Sequence, residues 1–238
     1  MKHIIYICNT RFPTEKAHGL STVKICEAFA AAGCRVDLVV PRFWKKNPDD
    51  LFSFYGVKRN FSIHTVPCID LLHFKFIPSL EWLTFFIQIF SFSFFSLFYI
   101  PKFFSKKIRD EAVFFSHDYM PLYAASLVGK NIFYDIHHFP GKNLLYRRIM
   151  KKSFAFAVQT KWKAGELERV WHVPQKRIIY WPNGTDVSFF KKSIQREDAR
   201  HALGLSLEKK TVIYTGQLFG CIGVDTLVLS FASLVQEP

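Results

Sequence analysis

A chain of 238 residues, 50% hydrophobic and 21% charged, is long enough for one good core and part of another, and too apolar to be disordered. Its formal charge of +13 calls for an anionic partner; no arginine-rich tract or nucleic-acid motif occurs, which argues against nucleic acid and leaves a lipid surface or a phosphorylated substrate. Five cysteines (Cys8, Cys26, Cys34, Cys68, Cys221), odd in number and without C-x-x-C spacing, argue against a zinc site and for a reducing compartment; the first apolar run is too short for a signal peptide, so the reading is cytoplasmic.

Taken in order, residues 3–8 form an apolar strand, 10–18 a polar loop with Pro13, and 19–32 a helix with Leu20, Val23, Cys26 and Ala30 on one face and Gly33 as its stop. Residues 35–40 make the next strand, ended by Pro41, which completes a βαβ unit. A third strand, 62–66, follows an irregular stretch carrying Trp44 and Tyr55. Strands at 112–116, 132–136, 154–159 and 177–181 then alternate with helices at 119–128, 144–152 and 163–171. The pattern predicts an α/β fold, a Rossmann-like doubly wound parallel sheet. After the turn at Pro182-Asn183-Gly184, where Asp186 is placed to cap a short helical turn, a charged connector leads to one further strand, 211–215, and a helix, 224–235.

Residues 82–100 carry no charge, a length that approaches the ~20 residues of a membrane span. Thr84, Gln88 and Ser91 draw a polar stripe, Ser93 and Ser96 add hydroxyls, and Pro101 is expected to end the helix. A buried domain helix, an in-plane membrane helix and a true span all remain open; Lys102, Lys106, Lys107 and Arg109, suited to anionic headgroups, favour peripheral attachment at the inner face of the membrane.

Ligands of such sheets sit beyond the carboxyl ends of the strands. There His18 and Gly19 begin a helix, whose free amides attract anions, or simply start it. Asp118, after Ser116-His117, is placed to cap the helix at Tyr119 or to take part in a site. His137 ends a strand, as a functional group or an ordinary cap, with His138 expected at the surface; no third ligand at suitable spacing supports a metal. In Thr160-Lys161-Trp162-Lys163, Lys161 and Lys163 either meet phosphate or coat a helix start. Adjacent Ser116, His117 and Asp118 do not read as a hydrolase triad, and no G-x-G-x-x-G follows the first strand, which weakens a dinucleotide-dependent oxidoreductase.

The run Pro-Asn-Gly-Thr-Asp-Val-Ser-Phe-Phe at 182–190 resembles the Pro-Asn-Gly-Val-Asp-x-x-x-Phe signature of GT-B glycosyltransferases of retaining family 4. Further on, Val-Ile-Tyr-Thr-Gly-Gln-Leu-Phe-Gly-Cys-Ile-Gly at 212–223 resembles the opening strand and glycine loop of that family's donor domain. The resemblance implies a GT-B amino-terminal domain at 1–183, a hinge and linker at 184–210, and at 211–238 the first βα unit of an incomplete second Rossmann-like domain. It implies transfer of a sugar from a nucleotide-sugar donor to a saccharide or lipid-linked acceptor, in surface polysaccharide or glycolipid synthesis, with no metal or other cofactor. His137 then takes the place of the histidine near the sugar-transfer centre. His18, Gly19, Asp118, Lys161 and Asn183 fall on the acceptor or phosphate side, and Gly216, Gln217, Gly220 and Gly223 on the donor side. Gln217 and Ile222 stand where many family members carry basic residues. The family's Glu-x7-Glu motif has no counterpart, so the expectation is a truncated chain, inactive alone and completed by a partner chain. A non-catalytic, membrane-associated binding or scaffold module is the alternative.

Overall fold

The computed structural model describes residues 1–43, 50–71, 81–185, 187, 194–216, 218 and 223–236, the side chains of 235 and 236 excepted. Trp44, Asp186, Gln217, Gly220, Cys221 and Ile222 lie outside the described residues. Two compact units result, 1–183 and 184–238.

The first unit is built on seven strands, β1 (His3–Ile7), β2 (Arg35–Arg42), β3 (Ser62–Pro67), β4 (Val113–Ser116), β5 (Asn131–Ile136), β6 (Ser153–Val158) and β7 (Ile178–Tyr180). They pair in parallel in the order β3-β2-β1-β4-β5-β6-β7. Alternation of side chains sends Ile5 and Ile7 to one face of the sheet and Ile4, Tyr6 and Cys8 to the other. On the first face pack α3 (Glu81–Phe103), α5 (Tyr119–Val128), α6 (Leu144–Lys152) and α7 (Lys161–Trp171); on the second, α1 (Ala17–Ala31) and α2 (Leu51–Tyr55). The short α4 (Lys106–Glu111) leads into β4. With both faces covered, the central strands read as continuous apolar runs.

Local chemistry shifts several expected boundaries. Helix α1 begins at Ala17, so His18 and Gly19 lie in its first turn; Thr22, Val23 and Cys26 face the core while Leu20 is exposed. Strand β2 does not stop at Pro41 but runs to Arg42, with Pro41 opposite Val66. The Val39 carbonyl accepts from Cys8, and alternation turns the Pro41 nitrogen to the same side, past the end of β1, where no donor is needed. Helix α3 likewise passes through Pro101 to Phe103. The expected polar stripe of α3 faces inward in part: Gln88, Ser91, Ser93 and Ser96 are buried beside Ile89, Phe92 and Ile100, while Phe85, Phe86, Phe90, Phe94 and Phe98 point out. Ser93 and Ser96 donate back to the carbonyls of Ile89 (2.7 Å) and Phe92 (2.8 Å), which satisfies their hydroxyls.

At the amino-terminal end of the sheet, Asp37 of β2 is only 1% exposed and is shared by three strands. His3 Nε2 lies 2.6 Å from one carboxylate oxygen and His64 Nε2 2.6 Å from the other, with Arg35 Nε at 3.3 Å. Burial pushes this carboxyl up, but the bonds from His64 and His3 together hold it below the ordinary carboxylate range.

Gly129, just past α5, backs onto the fully buried Phe114 ring of β4, and a Cβ there would run into that ring. Gly129→Ala is expected to destabilise the domain by about 1–3 kcal/mol through overpacking, read as a lower urea midpoint at unchanged slope.

The second unit contains α8 (Arg196–Ala202) and α9 (Val224–Gln236). Arg200 donates to the carbonyls of Ser206 (2.6 Å) and Lys209 (2.5 Å) and to Thr211 Oγ1 (3.0 Å), which shapes the segment after α8. Residues 211–215, expected as a strand, are irregular: among the described residues they join no sheet ladder.

Candidate functional site

The chain leaves β1 toward β2 and β3 on one side and crosses to β4–β7 on the other, so the topological switch point lies between the loops after β1 and β4. Four polar residues meet there: Cys8 at the end of β1, Asn9 after it, and His117 and Asp118 after β4.

Tyr6 Oη lies 2.9 Å from His117 Nδ1. Burial raises the Tyr6 phenol well above its usual range, so it remains protonated and can donate to Nδ1. Nε2 then carries the proton and faces Cys8 Sγ at 3.8 Å and Asp118 Oδ2 at 3.6 Å. Asp118 does not cap α5 with its side chain; the carboxylate accepts the Asn9 backbone N–H at 2.6 Å and so joins the β1 and β4 loops. Asn9 and Gln88 of α3 exchange side-chain amide bonds of 2.7 and 3.2 Å.

From β5, His137 stacks on His117 with ring centroids 5.0 Å apart. Its Nε2 is 2.9 Å from Asp135 Oδ2, and Asp135 Oδ1 accepts from Gln159 at 2.8 Å. Buried Asp135 thereby orients the imidazole. Lys163 donates to the His137 carbonyl (2.6 Å), the Ile136 carbonyl (3.2 Å) and Gln159 Oε1 (2.8 Å); burial lowers its ammonium below the usual lysine range, and Asp135 opposes that shift.

His18 completes the group electrostatically. Although His18 is exposed overall, partial burial lowers its imidazole first, then the nearby His117 and Lys16, with Asp118 acting the other way, which favours the uncharged ring. Gly19 beside it has no room for a side chain: a Cβ would sit 2.5 Å from both Thr14 Cγ2 and Tyr55 Oη. Tyr55 in turn clasps the Thr14 backbone, donating to its carbonyl at 2.7 Å and accepting its N–H at 2.8 Å. This clasp sets the course of the first loop, whose Arg11 pairs with Asp70 (2.6 Å) and lies over the Phe43 ring (3.9 Å).

Of the residues expected from sequence, His18, Gly19, Asp118 and His137 belong to this crevice or its edge. Lys161 is exposed on the first turn of α7, Asn183 is exposed at the end of the first unit, and His138 is at the surface. Gly216 and Gly223 belong to the second unit, Gly223 with φ +75° before α9. Sequence reasoning missed Cys8, Asn9, Gln88 and Asp135 as site residues and set His117 aside, and Lys163, weighed for phosphate or a helix start, instead ties the His137 loop to Gln159.

The ligating atoms of Cys8, His117 and Asp118 lie within 4.8 Å of one another. Each is already engaged, and burial, with the Asp118 charge next, holds the Cys8 thiol well above its usual range. A metal takes the thiolate, so this group reads as a hydrogen-bonded network, with Cys8 also 2.7 Å from Thr10 Oγ1.

No family model matches the sequence, and no curated protein does. Among solved structures, a glycosyltransferase from Rickettsia africae aligns with a TM-score of 0.65 at 9% identity, over 98% of this chain and 57% of the other. Starch synthase IV from Arabidopsis thaliana, bound to ADP and acarbose, aligns at 0.59 and 14% identity over 99% and 66%. UGT89C1 from Arabidopsis thaliana, complexed with UDP-L-rhamnose, aligns at 0.56 and 15% identity over 92% and 57%. What is shared at such identities is the fold, the Rossmann-like type of GT-B glycosyltransferases. The chain spans between 57% and 66% of the length of these structures.

Proposed function

We propose that this chain forms the acceptor side of a retaining GT-B glycosyltransferase of family 4 type, which moves a sugar from a nucleotide-sugar donor to a saccharide or lipid-linked acceptor on the cytoplasmic side of the membrane. One observation carries the reading: the His117–His137 stack, set beside Asp118 and His18 at the switch point of a GT-B-type sheet. With the His117 nitrogens turned to Tyr6, Cys8 and Asp118 and His137 Nε2 to Asp135, it is His137 Nδ1 that meets a sugar hydroxyl, and a neutral His18 accepts a proton or a hydrogen bond without charge repulsion. His137, held by Asp135, positions the transferring sugar or the acceptor hydroxyl. The first turn of α1, at Ala17 and His18, offers backbone amides to an anionic group, and Lys161 and Asn183 supply further contacts. The segment around Gly216 and Gly223 is the donor side, where amides and basic side chains rather than a metal meet the departing diphosphate.

The test is nuclear magnetic resonance of the histidine side chains in the 238-residue chain. Acceptor-type oligosaccharides are expected to shift the His117 and His137 ring signals and leave those of exposed His201 in place. Ring signals that respond to no saccharide, or that respond to a nicotinamide dinucleotide instead, would sink the assignment.

A further inference from the structure

Helix α3 exposes a row of rings while its inner face buries polar side chains among Ile89, Phe92 and Ile100. A surface helix in water sends its amides and hydroxyls outward and its rings inward. Here Gln88, Ser91, Ser93 and Ser96 are buried, whereas Trp82, Phe86, Phe90, Phe94 and Phe98 are each between 48% and 66% exposed. These five recur at every fourth position, which sets them along one ridge, and Leu83 and Phe85 widen it. A contiguous apolar surface of this kind marks a contact with something apolar.

Charge indicates what that is. The next fourth position after Phe98 is Lys102, followed by exposed Lys106 and Lys107. Helix α5 packs against both α3 and α6, and α6 exposes Arg147, Arg148, Lys151 and Lys152. Between these helices lies a cleft of about 180 Å³, lined by side chains that include Phe90 and Phe94 of the ridge, Met120 and Leu127. Aromatic rings flanked by cations match the interfacial zone of a bilayer with acidic headgroups. A second copy of the chain would bring the same cations together.

We propose that the α3 ridge seats in the interface of an anionic lipid bilayer, with the helix lying in the membrane plane and the cleft receiving an acyl chain. The helix is long and apolar enough to cross a membrane, but its inner face is committed to the domain. Gln88 holds Asn9, and Ser91 accepts the Ile69 N–H at 2.9 Å; a spanning orientation would strip both. The seat is independent of which reaction the crevice performs.

Co-sedimentation with vesicles tests this directly. The chain is expected to pellet with mixed phosphatidylcholine–phosphatidylglycerol vesicles and far less with phosphatidylcholine alone. Phe90→Ser with Phe94→Ser is expected to weaken binding by about 100-fold, from the lost burial of two rings. Lys106→Glu with Lys107→Glu is expected to weaken it by about tenfold or more, on acidic vesicles only. These side chains are exposed, and an unchanged thermal melt confirms that the variants are folded. Failure of the unaltered chain to bind acidic vesicles overturns the proposal, as does equal binding by the folded Phe90/Phe94 variant. So does a lipid-free dimer that the same variant turns into a monomer without affecting vesicle binding.

Discussion

Asp37→Ala is expected to destabilise the sheet domain by about 3–5 kcal/mol, the range for breaking a buried charge cluster by removing one partner. The carboxylate ties β2 to both of its neighbours through His3 and His64. Those imidazoles pack on Phe103 and Phe104, and once the carboxylate is gone the nitrogens that meet it lose their partner. The sign of the pH dependence follows from the lowered carboxyl of Asp37. Near the unfolded carboxylate pKa, about 3.9, the unfolded chain binds more protons than the folded one, so stability rises with pH there. The contribution is complete above that value and is lost as pH falls through the lower folded one. Denaturant melts across the acid range should therefore show a flatter acid limb for Asp37→Asn than for the unaltered protein. Superimposable limbs would mean that the carboxylate is not held by the two histidines.

If the proposed function holds, His137→Ala is expected to lower sugar transfer by about 10²-fold when the chain is assayed together with a complete donor unit, the cost of losing a group that positions a reactant, while the melting temperature stays close to that of the unaltered protein. The His137 side chain is 34% exposed and buries little, so truncation leaves no large cavity. Asp135→Asn is expected to act in the same direction and less strongly, because it loosens the ring without removing it. Labelled-sugar incorporation at saturating and limiting donor separates a kcat effect from one on KM. A His137→Ala protein with full transfer activity would remove the histidine stack from the mechanism.

Much of the sheet was legible because a parallel strand covered on both faces is an apolar run between turn residues, and six of the seven strands were placed within one residue at each end. The misplaced boundaries lie where tertiary context overrides a local rule. Pro41 stays in its strand because it falls past the last β1–β2 pair, Ile7 with Val39, where the ladder has ended, and Pro101 stays within α3. The segment 211–215 has strand-like residues, but a strand needs a neighbour, which composition does not supply. In α3 the periodicity of polar and aromatic residues was plain; which side faces the domain was not, because a moment has a direction only relative to a neighbour. The crevice was half visible. His137 and Asp118 sit at strand ends, where ligands bind, but the cross-links from Cys8 to His117 and from Asn9 to Asp118 join residues more than a hundred positions apart, which no spacing motif records.

The paired amides of Asn9 and Gln88 have one more implication. Because each gives and receives, neither can turn toward an incoming molecule without stranding the other's polar ends in a dry place. The start of the first loop and the long aromatic helix are therefore fastened to each other at this one point, on the side of the helix away from its exposed rings.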